Sequence, residues 1–252
     1  MNLARYHKAF WWFIAGSKPQ RRRIKLECAR FAASIFGDFP IGEDHKIWLQ
    51  DKSFRRKFKE LSPLSPYSEE RKWTLREFAR FVKNIPGNIA ECGCFDGGSA
   101  YFLAQVAPNV KIHLFDSFEG LSAPGNNDIP DDKTISQWKQ GDLSTSESKA
   151  RRILTEFDNI IYHKGWIPSK FNEVDNENFK LLHIDVDLYQ PTFDSLDFFY
   201  PRMNKGGVII LDDYGFSTCP GAFKATKDYI VKKNISEQVI LLTTGQGIII
   251  KE

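Results

Sequence analysis

A chain of 252 residues is long enough for one large α/β domain with an ordered extension, and short for two independent catalytic domains. Hydrophobic residues make up 42% and charged residues 27%, with 21 Phe, 8 Tyr and 6 Trp, which supplies a large aromatic core and excludes a disordered chain. The net charge of +3, with basic residues scattered except at Arg21 to Arg23, gives no footprint for nucleic acid.

Residues 1–61 read as a helical extension with Trp11, Trp12, Phe13, Phe31, Phe36 and Trp48 set among many charges. The apolar run Ala9 to Ala15 is far shorter than the roughly 20 residues of a membrane span. Its basic residues follow it at Lys18 and Arg21 to Arg23, whereas a secretory signal carries its positive charge first, so export is not expected. Two readings stand for this segment: a helical cap packed on the core or on a second subunit of a homo-oligomer, and peripheral membrane contact through residues 9–23. Packing is the preferred one, because aromatic stripes in helices are usually core. The four cysteines, Cys28, Cys92, Cys94 and Cys219, form no Cys-x-x-Cys pair, which predicts reduced thiols and a cytoplasmic setting.

Pro63 and Pro66 break any helix, and the main domain is expected over 62–252. Ser68 followed by Glu69 and Glu70 starts a helix, with Trp73, Leu75, Phe78, Phe81 and Val82 near helical spacing. Beyond it, apolar runs alternate with amphipathic helical patterns, the signature of an α/β fold with a mostly parallel sheet covered on both faces. The expected strands are Asn88 to Cys92, Val110 to Asp116, Asn159 to His163, Lys180 to Val186 and Gly207 to Leu211. Gln238 to Leu242 and Gly247 to Lys251, joined around Gly245, read as a closing antiparallel hairpin. Ligands bind outside the carboxyl ends of strands in such sheets.

The first strand runs into a glycine turn and a helix start through Glu91, Cys92, Gly93, Gly97, Gly98 and Ser99. A dinucleotide fingerprint would require glycine where Phe95 stands, which counts against NAD. The amino-acid end of S-adenosylmethionine fits instead: its carboxylate suits backbone N–H groups at a helix start, and its ammonium suits Glu91. Asp116, at the end of the next strand, stands where nucleotide-binding sheets place an acid for ribose hydroxyls.

Asp185 and Asp187 close one expected strand, and Asp212 and Asp213 close another. Each alone is as well explained by helix capping, but four carboxylates at neighbouring strand ends repel unless a cation or proton joins them. Hard oxygen donors predict Mg²⁺, with Mn²⁺ or Ca²⁺ as other occupants. Asp185, Asp212 and Asp213 are the candidate ligands and Asp187 the candidate base, with the division between Asp185 and Asp187 left open. For His183 a buried structural histidine is the preferred reading over an outer partner of this group.

Glu91-Cys92-Gly93 with Gly97-Gly98-Ser99, Phe115 to Leu121, Lys164-Gly165-Trp166, Asp185 to Tyr189 and Asp212-Asp213-Tyr214 together resemble the macrocin O-methyltransferase family over residues 62–250. The resemblance implies a class I, Rossmann-like S-adenosylmethionine-dependent fold, and Mg²⁺ at Asp185, Asp212 and Asp213. It further implies methylation of a sugar hydroxyl on a natural product or surface glycan. It also implies cofactor contacts from Glu91, Gly93, Asp116 and Ser117, with Trp166 near the adenine or in the core. The polar segment Ser122 to Asp132 is expected to be a mobile lid. An NAD-dependent oxidoreductase and a non-catalytic sugar-binding or scaffold protein are the competing readings.

Overall fold

The computed structural model describes residues 11–17, 20–21, 24–25, 28, 46–61 and 69–252. Two compact units divide between Lys52 and Ser53. Most of the expected extension, including Phe31 and Phe36 and much of 9–23, lies outside the described residues. In the first unit residues 11–15 are helical, and Trp11, Phe13 and Ile14 are each more than half exposed. No helix among the described residues is long and apolar enough to cross a membrane.

The second unit begins in helix α1 (Lys52–Leu61), which the sequence reading assigns to the extension. Phe54 and Phe58 on α1 are fully buried, and Phe54 packs edge-on to Trp73 of α2 (Glu69–Phe81) and against Phe102 of α3 (Gly98–Val106). The expected apolar stripe is only partly right: Leu75 on α2 and Val82 just beyond it are fully buried, whereas Phe81 at the last turn is exposed.

Seven strands form one sheet in the order β3-β2-β1-β4-β5-β7-β6. β1 (Asn88–Cys92), β2 (Ile112–Asp116), β3 (Ile160–Lys164), β4 (Phe179–Ile184) and β5 (Met203–Leu211) run parallel. β6 (Ile240–Leu241) and β7 (Gly247–Ile250) add the antiparallel closing hairpin, so the expected mixed sheet is present, with β6 cut to two residues. The helices α4 (Glu147–Ile153), α5 (Tyr189–Phe199) and α6 (Pro220–Lys233) complete the unit.

Central strands covered on both sides bury both sets of alternating side chains, and every residue of β4 and all but the first of β1 are buried, Glu91, Lys180 and His183 included. Ala90, Cys92, Phe115, Leu182, Ile184, Ile209 and Leu211 join Leu196 and Phe199 of α5 and Tyr229 of α6 in one core. Phe115, Phe171, Phe179 and Phe199 meet there at steep ring angles with centroids 4.8–5.5 Å apart. The alternate residues, Glu91 and His183 among them, therefore point to the opposite side of the sheet.

Candidate active site

The register sets the site. Cys92, Ile184 and Leu211 are aligned across β1, β4 and β5, so Gly93, Asp185 and Asp212 follow side by side at the carboxyl edge. The ladder continues one residue further, with the Asp185 N–H donating to the Cys92 carbonyl at 2.9 Å and the Asp212 N–H to the Ile184 carbonyl at 2.8 Å. Gly93 has a φ of 83°, and a Cβ there would stand 1.8 Å from the Asp185 carbonyl oxygen, so only glycine fits where β1 and β4 close together.

All four aspartates converge, but as two linked groups: Asp185 and Asp212 with His183, and Asp187 and Asp213 with Cys219. The expected ligand trio of Asp185, Asp212 and Asp213 is thus divided between them. Asp187 holds a left-handed φ of 57°, uncommon for a non-glycine residue; its N–H donates to Asp213 Oδ2 at 3.1 Å, and its Oδ1 accepts from the Cys219 thiol at 3.4 Å. Burial, and then the charges of Asp187 and Asp185, push the Asp213 carboxyl well above its usual range. Burial, followed by the charge of Asp185, raises Asp187 to about 7, and Asp185 is raised by burial and by Asp212.

Asp212 goes the other way. Burial would raise it, yet the positive groups of Lys72, His183 and Arg71 hold it below the usual carboxylate range. Arg71 Nη1 bonds Asp212 Oδ2, and Gln246 Nε2 donates to Asp212 Oδ1 at 2.8 Å. His183 bridges two acids inside the sheet, with Nδ1 2.8 Å from Glu91 Oε1 and Nε2 3.3 Å from Asp212 Oδ1. Burial would lower His183, but those two carboxylates raise it to about 9. His183 is accordingly an outer partner of the aspartate group, not a lone core histidine.

Beside the aspartates lies a cleft of about 280 Å³ lined by Gly93, Phe95, Asp116, Ser117, Trp166, Asp185 and Asp187, with residues of the segment that follows β2. Asp116 accepts the N–H of Phe95 at 2.8 Å and of Phe118 at 2.7 Å, and both phenylalanines have positive φ. The acid at the end of β2 therefore shapes both turns that wall the cleft. Ser117 Oγ accepts the Glu119 N–H at 3.0 Å, and Trp166 is 38% exposed at the cleft wall, not in the core.

A macrocin-O-methyltransferase (TylF) family model matches residues 68–246. The chain belongs to that family. It is 27% identical over 169 residues to the demethyldecarbamoylnovobiocin O-methyltransferase of Streptomyces niveus, covering 63% of this chain and 64% of the relative. To the 8-demethyl-8-(2,3-dimethoxy-alpha-L-rhamnosyl)-tetracenomycin-C 4'-O-methyltransferase of Streptomyces olivaceus it is 26% identical, covering 62% of each. The chain thus spans somewhat less than two thirds of either relative. Among solved structures the O-methyltransferase NovP superposes with a TM-score of 0.61 at 24% identity, covering 73% of this chain and 80% of that one. The fold is the class I, Rossmann-like methyltransferase fold.

Of the candidate residues expected from the sequence, Gly93, Asp116, Ser117, Trp166, Asp185 and Asp187 line the cleft. Glu91 and Cys92 do not: Glu91 is fully buried against His183, and the Cys92 thiol lies in the apolar core on the α5 side. Gly97, with φ 84°, and Gly98 shape the start of α3, and Ser99 is buried there with its Oγ bonded to Lys72. Among the described residues Glu91 Oε2 has no hydrogen-bond partner, which leaves one buried acceptor that a cofactor ammonium could satisfy. Arg71, Lys72, Gln246 and Cys219 were missed by sequence reasoning. The signal for the first two was present: two cations in the second half-turn of a helix whose start favours acids have to be held by something else.

Proposed function

We propose that the protein transfers a methyl group from S-adenosylmethionine to a sugar hydroxyl with the help of a divalent cation, Mg²⁺ by preference. The observation that carries this reading is the gathering of four aspartates from two adjacent strand ends at the carboxyl edge of a methyltransferase sheet, with Asp185 and Asp187 among them lining the cleft. The sugar as acceptor class comes from the rhamnosyl unit in the name of one relative.

The residues present fit both groups. Hard, buried carboxylates suit a divalent cation, with Asp185, Asp212 and Asp213 as its holders; for the three to share one ion the two groups must draw together and Arg71 must release Asp212 Oδ2. When bound, the cation supplies charge that lowers the pKa of an alcohol and fixes its oxygen. Gly93 lines the cleft at the strand end, buried Glu91 Oε2 would accept from the cofactor ammonium, and Asp116 and Ser117 would meet the ribose, with Trp166 taking the adenine. Asp187 takes the proton from the hydroxyl at its carboxylate as the methyl group moves; the carboxyl raised to about 7 matches a base working near neutral pH.

The test is incubation with methyl-labelled S-adenosylmethionine, Mg²⁺ and a panel of nucleotide sugars and glycosides, with and without EDTA. Label passing to a sugar only when Mg²⁺ is present is the expected result. Label reaching no acceptor would overturn the transferase reading, and equal transfer in EDTA would overturn the metal alone.

A further inference from the structure

We infer that the stretch 11–25 docks on a membrane surface that carries anionic lipid. An apolar helical turn stands in solvent there, next to a basic one. Residues 11–15 are helical, with Trp11 58% exposed and Phe13 and Ile14 each 56% exposed. Successive helical residues are about 100° apart, so these three point round the turn and not down one face, and a helix apolar on every side is ordinarily covered. Their exposure favours surface contact over the packing expected from the sequence. The turn is far too short to span a bilayer and can only lie at its surface.

The local hydrogen bonds set charge beside the aromatics. The Gly16 N–H closes the turn on the Trp12 carbonyl at 3.2 Å, and Gln20 Oε1 accepts the Ser17 N–H at 2.8 Å, one half of a capping box that starts the next helical stretch. Arg21 Nε donates to the Gly16 carbonyl at 2.7 Å, which brings a guanidinium against the end of the apolar turn. Arg21 and Lys25, four apart and both helical, are exposed. Lys18, Arg22 and Arg23 add to the charge of this stretch, and no Asp or Glu stands before Glu27. An anionic membrane interface answers both features: its headgroup level takes Trp, Phe and Ile, and its acidic phosphates take Arg and Lys. A second copy would bring the same unbalanced positive charge against itself, and nucleic acid would leave the apolar turn wet.

The test is sedimentation of the full chain with vesicles of phosphatidylcholine alone and of equimolar phosphatidylcholine and phosphatidylglycerol. Binding to the anionic vesicles, weakened by added salt, with little binding to the neutral ones, is the expected result. Arg21→Gln, Arg22→Gln and Arg23→Gln together should weaken it by about 100-fold, at roughly fivefold per charge. Trp11→Ser, Phe13→Ser and Ile14→Ser together should weaken it by at least about tenfold. Thermal melts unchanged in both variants show that the fold is intact. No binding to anionic vesicles, equal binding to neutral ones, or binding that survives either set of substitutions overturns the inference. A dimer dispersed by the apolar substitutions, in place of vesicle binding, overturns it too and gives the aromatics to a second copy.

Discussion

Asp187 shows how much of the site a single residue concentrates. It sits in a left-handed conformation, touches both Asp213 and Cys219, and is charged only against burial and the field of Asp185. Asp187→Asn should lower turnover by roughly 10²- to 10⁴-fold with a sugar acceptor, while calorimetry finds S-adenosylhomocysteine affinity unchanged. The same substitution should raise the metal-free melting temperature by about 2–4 °C, because one desolvated like charge disappears. A variant that loses stability and keeps its turnover would show Asp187 to be structural. The aspartates were legible in the sequence because they punctuate apolar strands. The positive φ at Phe95 was not: the glycine fingerprint asks for a flexible residue at that place, and the chain adopts the conformation with phenylalanine, held by the Asp116 carboxylate.

The segment after β2 is anchored at one buried side chain. Its polar, turn-forming composition predicts motion, yet Asp128 is buried at its centre. Asp128 Oδ2 accepts the Gly125 N–H, and its Oδ1 accepts the Tyr189 N–H at the first residue of α5, each at 2.7 Å. The same carboxylate fills the space left by Gly221 of α6, where a Cβ would stand 1.8 Å from Oδ1. One acid thus ties the segment to the starts of both helices. Asp128→Ala should cost about 2–3 kcal/mol and open the 120–145 stretch to limited proteolysis. An unchanged digestion pattern would count against the tether. An aspartate among turn formers reads as a solvated loop residue, so no sequence pattern pointed to this role; the partner N–H lies 61 positions away. The strands, by contrast, were legible from periodicity, and only β6 came out much shorter than expected because its side chains find little to pack on.

Across the whole molecule, stability and function draw on different buried charges. At the opposite end of the sheet from the cleft, His113 is buried with Nδ1 3.0 Å from His163 Nε2, while its Nε2 lies 3.2 Å from Glu177 without hydrogen-bond geometry. Burial lowers His113 to about 4, so the fold holds it neutral. Between its unfolded value near 6.5 and about 4 the unfolded chain binds a proton that the fold refuses, and stability is lost as pH falls through that window. His113→Phe should flatten the urea-unfolding profile between pH 6.5 and 4.5; an unaltered slope would assign the acid sensitivity elsewhere. At the aspartate edge, the same cost of burial is borne by the carboxyls of Asp185, Asp187 and Asp213, which the proposed cation would relieve. The central claim is tested most directly by calorimetric titration of Mg²⁺ onto the chain saturated with S-adenosylhomocysteine, wild type beside Asp213→Asn. One ion bound per wild-type chain and a large loss of affinity in the variant is the predicted result; no ion bound, or equal binding by both proteins, would contradict it.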